Sequence, residues 1–384
     1  MLALICTALI LCMTTWFSAT AITPELIARW QLSPAQSAWL TNAVQLGFVI
    51  GALLASLINL PDLIALRKLM ALAALAAAIA NLAILAAPNV PTLLLARFLT
   101  GAAIAGIYPP ALKLIATWFI KGRGIALGLV IAALNLGSAL PHLIRYLTNH
   151  LHWQPVVIAS SACALTGSAL FALFAAEGPH PFATATFNPR SLALVLRNRP
   201  LLLANLGYLG HMLELYAMWA CFLLFTRAAN LTTPRTASLI TFIVIASGII
   251  GCIAGGIISD RTSRTFAAAL MLAISGTCAL TIGLAFHGPL WLFMAIAILW
   301  GITIIGDSAQ FSALATELSH PSYVGTALAL QLGLGFALTL ASIRLTPILA
   351  AHIGWQFAFA PLALGPIVGT IAMLKLHHST KRKL

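Results

Sequence analysis

Charge is what this sequence lacks. Only 7% of its 384 residues are Asp, Glu, Lys or Arg, and just seven are acidic. A soluble domain carries roughly 25% charged residues, so this chain cannot cover a water-facing surface. It also lacks cysteine pairs. Cys6, Cys12, Cys163, Cys221, Cys252 and Cys278 all sit in apolar runs with no C-x-x-C, which argues against a disulfide framework or a thiolate metal site. No G-x-x-x-x-G-K-[ST] phosphate loop occurs, so ATP drive within the chain is not expected. No compact catalytic set or His/Cys cluster stands out either. The chain is not expected to be an enzyme or to hold a cofactor or metal.

What is present is oil. Hydrophobic residues make up 61% of the chain, the mark of a polytopic membrane protein. The net charge of +13 does not point to nucleic acid, because the basic residues fall in short clusters between apolar runs. Twelve runs are long enough to span: about 1–21, 36–58, 67–87, 92–118, 124–147, 155–176, 200–227, 237–258, 266–286, 289–314, 324–349 and 355–376. They are called span one to span twelve below. The first, "MLALICTALILCMTTWFSATA", has no basic n-region and is expected to be a span, not a cleaved signal.

Orientation follows from Lys and Arg. With the N-terminus inside, the inner side holds Arg67, Lys68, Lys121, Arg123, Arg190, Arg197, Arg199, Arg261, Arg264, Lys375, Lys381, Arg382 and Lys383. The outer side holds only Arg29, Arg145, Arg227, Arg235 and Arg344. Both termini are expected in the cytoplasm, with the chain in a bacterial inner membrane. The polar stretch 177–199 divides it into halves, 1–176 and 200–384. The halves echo each other: "NLPDLIALRK" follows span two and "GGIISDRTSRT" follows span eight. An internal repeat with a midplane interface is transporter architecture.

These residues resemble the major facilitator superfamily. Its loop signature is G-x-x-x-D-[RK]-x-G-x-[RK]-[RK]. The second copy carries Gly256, Asp260, Arg261 and Arg264, with Ser263 at the usual glycine. The first is worn: Asp62, Arg67 and Lys68 fit, while Ile58, Leu63 and Ala65 depart. Span four, "LLLARFLTGAAIAG", is similar to the family's L-x-x-x-R-x-x-Q-G through Leu93, Arg97 and Gly101, and departs at Thr100. "GYLGHMLELYAMW" and "GDSAQFSALATEL" look like the broad bacterial branch grouped with nitrate/nitrite- and cyanate-type porters. Nitrate itself is not expected, since span two has no arginine. The resemblance implies an all-α membrane protein of twelve transmembrane helices in two pseudo-symmetric six-helix bundles, working by alternating access. It also implies that the Asp62 and Asp260 loops hold the halves together at the cytoplasmic side.

Ionisable groups inside spans are costly, at about 2.5–3.5 kcal/mol each at a helix centre, and tend to face a cavity or the bundle interior. They are Arg97, Lys113, His142, His211, Glu214 and Asp307. Lys113 is expected to snorkel, and His142 and Arg145 to anchor at the outer interface. Arg97 either snorkels or presents a fixed positive charge to an anionic substrate or to Glu214. On span seven, Tyr208, His211, Glu214 and Trp219 share one face, with Glu214 near the midplane. His211 and Glu214 lie close enough in sequence to exchange a proton. Asp307 and Gln310 make the inner half of span ten polar. The expected function is secondary transport of a small solute, an organic anion imported with protons, by a monomer in the lipid bilayer. Proton-coupled efflux of small molecules or drugs is the alternative.

Overall fold

A computed structural model describes residues 1–119, 122–148, 152–180, 192–320 and 323–381. Lys121, Arg190, Arg382, Lys383 and residues 181–191 of the 177–199 segment, to which the charge count and the half boundary appeal, lie outside them. Among the described residues there is no strand. Lipid offers no partner to a backbone N–H or C=O, so spans must be helices. Eleven are long and apolar enough to cross a membrane: Pro34–Leu57, Leu66–Ala86, Val90–Ala116, Gly124–Leu147, Gln154–Phe174, Arg199–Ala229, Pro234–Arg261, Arg264–Ala285, Leu290–Glu317, Val324–Ile353 and Trp355–Ser379. They are spans two to twelve, within a few residues of expectation. Their starts are chemically marked. Ser33 and Gln36 form a capping box ahead of span two, Asn89 and Thr92 ahead of span four, and Asn198 and Thr233 cap spans seven and eight.

Span one differs. Only Leu2–Met13 is α-helical, and a 3-10 turn Thr20–Ile22 follows an irregular stretch. Hydroxyls explain the early end. Thr14 and Thr15 donate to the carbonyls of Leu11 and Cys12 at 2.6 and 2.9 Å, which competes with helix continuation. The stretch survives at membrane depth because it is buried in protein. Four further spans are interrupted, span twelve among them at Phe359. Span four breaks between Ile104 and Tyr108, ahead of Pro109 and Pro110. Span eight breaks at Ser247, and span ten at Asp307.

The helices pack as two six-helix bundles. In the first, span one lies on spans five and six, two on four, and three on four and six. In the second, span seven lies on eleven and twelve, eight on ten, and nine on ten and twelve. The bundles meet where span two crosses span eleven and span five crosses span eight. The repeat reaches atomic detail. A Cβ at Gly101 would collide with the Val44 carbonyl oxygen, and one at Gly301 with the Val244 carbonyl oxygen. The same sequence offset separates both members of the two pairs, so each half brings its second and fourth helices together at a glycine. Gly256, the signature glycine, has nothing within 4 Å of a Cβ position.

Gly101→Ala and Gly301→Ala should therefore each destabilise the protein, by about 1–3 kcal/mol of overpacking, whereas Gly256→Ala should be neutral. Melting temperatures of the detergent-purified variants check this, and equal losses at all three positions would contradict the packing argument.

Candidate functional site

At the end carrying the basic loops, the loop after the second helix of each half bonds within its own half. Asp62, in the short helix Leu60–Leu63, pairs with Lys113 at the end of span four. Arg264 donates from Nε to Glu317 at the end of span ten, at 2.7 Å. The arrangement is repeated with its charges exchanged: acid on the loop in one half, base on the loop in the other. Lys113 thus has a carboxylate partner instead of reaching for headgroups. Arg67, Lys68, Asp260 and Arg261 are exposed.

The span-seven residues do not act as one stripe. Glu214 turns into its own bundle, where Trp300 Nε1 donates to Oε1 at 2.6 Å and Ser275 Oγ donates to Oε2 at 2.8 Å. His211 does not bond Glu214. Its Nδ1 lies 2.8 Å from Asp307 Oδ1, each side chain 1% exposed. The approach is close, but its angle falls short of a hydrogen bond. Asp307 stands in the break of span ten, at the start of the inner helix Ser308–Glu317, where the helix dipole favours a negative charge. The His211 ring packs against Tyr208 and Phe311, with centroids 6.1 and 5.6 Å away. Gln310, one turn from Asp307, is buried with its Oε1 lacking a partner, while the buried Trp219 packs instead on Phe17 and Tyr216, its Nε1 also without a partner.

Arg97 belongs to the first bundle's framework. Fully buried, it donates from Nε to the Leu40 carbonyl at 3.1 Å, and from Nη1 to the Thr15 carbonyl at 2.9 Å and to Ser18 Oγ at 3.3 Å. Its Nη2 donates to the Trp16 carbonyl. The Thr15 and Trp16 carbonyls are the ones left over where span one unwinds, and Leu40 lies on span two. Ser18 donates onward to Asn81 Oδ1 at 2.6 Å, and Asn81 donates to Ser161 at 2.9 Å. Its guanidinium therefore neither snorkels nor meets Glu214.

Between the bundles lies an aromatic cluster. Trp16 and Phe17 stack on Tyr216 at centroid distances of 6.0 and 6.3 Å. Phe336 packs on Trp16, Phe48 and Tyr216, and Phe17 meets Trp219 edge-on at 5.7 Å. Polar bonds join the halves around it. Asn42 Nδ2 donates to the Leu340 carbonyl at 2.8 Å, and Asn135 Nδ2 to the Ile245 carbonyl at 2.9 Å. At the end opposite the basic loops, Glu25 Oε1 accepts from Arg145 Nη2 at 2.6 Å and Arg227 Nη2 at 3.0 Å. Arg145 comes from span five and Arg227 from span seven, so this carboxylate ties one bundle to the other. Burial alone would raise the Glu25 carboxyl, but Arg227 and Arg145 together hold it below the usual carboxylate value. The sequence profile of the Major Facilitator Superfamily matches residues 4–332.

The chain belongs to the Major Facilitator Superfamily.

Members of this family are transporters, not enzymes. The chain is 23% identical over 397 residues to a gallate transporter of Pseudomonas putida, covering 94% of this chain and 88% of that protein's length. Its fold is similar to crystal structures of a bacterial homologue of the human lysosomal transporter Spinster. The inward-facing, occupied form gives a TM-score of 0.73 at 15% identity, covering 99% of this chain and 96% of the other. The inward-facing, unoccupied form gives 0.72 at 14%, covering 98% and 94%.

In this facilitator the residues that sequence reasoning passed over are mostly uncharged. Asn42, Gln45, Asn81 and Asn135 are amides inside apolar runs, and all are buried. A search for amides as well as charges finds them. Glu25, Trp16 and Tyr216 carry no such signal, because only the fold shows which helices they join. His142 and Arg145 are also buried, at 0% exposure, and so do not anchor in headgroups. Span five is covered there by the Glu25 helix and by span eight.

Arg97→Ala should cost about 3–5 kcal/mol, because four oxygens in the bundle lose a charged donor. Arg97→Lys should recover only part, since an ammonium cannot fan across acceptors on two segments. Thermal unfolding in detergent reads both, and a lysine variant as stable as wild type would refute the clasp.

Proposed function

We propose that this facilitator imports a small organic anion across a bacterial cytoplasmic membrane, as a monomer, with a proton moving alongside. Three features support the organic cargo. The gallate transporter of Pseudomonas putida is similar over nearly the whole chain. Aromatic side chains gather where the bundles meet. Span two carries no arginine of the kind nitrate porters use, so nitrate itself is not the reading favoured.

The observation that carries proton coupling is the buried contact of His211 with Asp307. A proton passed between Nδ1 and Oδ1 crosses 2.8 Å without exposing a charge to lipid. Glu214 extends the set, within electrostatic reach of Asp307 and one helical turn from His211. Tyr208 and Gln310 would line the same site, and Trp219 the aromatic cluster between the bundles.

In the alternating-access cycle, residues 1–176 and 200–384 would be the moving bodies and 177–199 their cytoplasmic connection, with both termini cytoplasmic. Asn42 and Asn135 bond across the halves at mid-depth, and Glu25 ties the halves at its own end. The Asp62–Lys113 and Arg264–Glu317 pairs stay within halves. That distribution supports an arrangement closed on the outer side. In the opposite state the loops of Asp62, Arg67 and Lys68 and of Gly256, Asp260, Arg261 and Arg264 would close on one another.

The test uses proteoliposomes loaded with a pH-sensitive dye and given gallate. Asp307→Asn and Glu214→Gln should each cut gallate-driven proton movement about tenfold or more, the loss expected when a general acid–base group is removed. Gallate exchange, which needs no net proton, should persist. Undiminished proton movement in both variants would sink the coupling.

A further inference from the structure

Span five presents a polar face that the mechanism so far does not use. Asn135, Ser138, His142 and Arg145 follow one another at intervals of three and four residues, so they lie on one side of the helix. All four are essentially buried, at no more than 1% exposure. Buried polar atoms are normally satisfied, yet Asn135 Oδ1, Ser138 Oγ and both ring nitrogens of His142 have no hydrogen-bond partner. Span eight runs antiparallel beside this face. Arg235 Nε donates to the Tyr146 carbonyl at 3.1 Å, and Asn135 Nδ2 to the Ile245 carbonyl at 2.9 Å. That register sets Ser238 level with His142, and the buried Ser238 Oγ also lacks a partner.

The outer end of the face is built for a carboxylate, because one is there already. Arg145 and Arg227, from opposite bundles, converge on Oε1 of Glu25, while its Oε2 is buried and has no partner. Two guanidiniums against one carboxylate leave a net positive charge. His142, one turn deeper, feels the Arg227 charge. Arg145 and Ser138 are about 10 Å apart along the helix axis, the scale of one aromatic ring with a substituent at each end and a hydrogen bond to both.

We propose that this span-five face is the anion-recognition wall, and that Glu25 holds the place of the substrate's carboxylate. The ligand is a carboxylate with a hydrogen-bonding group, such as a ring hydroxyl, at its far end. Its carboxylate takes Arg145 and Arg227 in exchange for Glu25. Its far end takes the atoms left unpartnered on His142, Ser138 and Ser238. Because Arg145 and Arg227 come from different bundles, the exchange also replaces a permanent tie between the halves with a removable one. This rests on the reading of the cargo as an organic anion.

Calorimetric titration of the detergent-purified protein with gallate, and with benzoate as the hydroxyl-free probe, tests it. Glu25→Gln should tighten gallate binding about three- to tenfold, since an uncharged amide competes poorly for guanidinium. That gain cannot arise from misfolding, and Glu25→Gln combined with Arg145→Gln should abolish it. Ser138→Ala should lower the ratio of gallate to benzoate affinity about fivefold, the scale of one hydrogen bond. If wild type binds gallate but Glu25→Gln fails to tighten it and Ser138→Ala leaves the ratio unchanged, the wall is refuted and the anion reading stands. If wild type binds neither carboxylate, both fall together.

Discussion

The clasp of Arg97 on the end of span one shapes the middle of this transporter. In a bilayer, an unwound helix leaves carbonyls that nothing in lipid can satisfy. Here the guanidinium reaches the carbonyls of Thr15 and Trp16 from span four and takes the Leu40 carbonyl with the same side chain. The chain can then leave the helix early. Trp16 and Phe17 swing between the bundles and stack on Tyr216. A charged residue on span four thus decides where the Trp16 and Phe17 rings sit between the bundles, without touching those rings' partner Tyr216.

The two halves solve the same problems with different chemistry. Both bring their second and fourth helices together at a glycine against a valine carbonyl. Both tie the loop after the second helix to the end of the fourth, with the charges exchanged. Both interrupt the fourth helix. In span four the break precedes two prolines; in span ten it is Asp307 itself. The buried polar groups diverge most. The first half uses an Arg97–Ser18–Asn81–Ser161 network that is framework. The second brings His211, Asp307 and Glu214 into one buried neighbourhood. Geometry was kept where backbones touch, and chemistry was free to change where side chains do.

Much of this was legible beforehand because the bilayer imposes simple rules. Apolar run length marks spans, capping residues mark starts, and buried charges are few enough to name. Glu214, His211 and Asp307 were singled out on that ground, and they are buried. Their pairing was not legible. Helical spacing placed His211 beside Glu214, but the break in span ten delivers Asp307 to His211, while Trp300 and Ser275 occupy Glu214. Neighbours on one helix were outcompeted by residues on another: Trp300 and Ser275 both donate to Glu214, and Asp307 stands 2.8 Å from His211. Glu25 went unread for the same reason. Its partners Arg145 and Arg227 lie 120 and 202 residues away.

The solvent, the helices and the family follow from the sequence alone, because each depends on local composition or on short motifs. Hydrophobic length decides insertion whatever the tertiary contacts are. Which buried polar atoms are satisfied, which ion pairs join the halves and which stay inside one was set by the folded arrangement. Those are properties of distance between segments remote in sequence. Arg97 makes the contrast plain: its cost in a membrane can be read from one letter, but whether it serves cargo or scaffold depends on the four oxygens that fold around it.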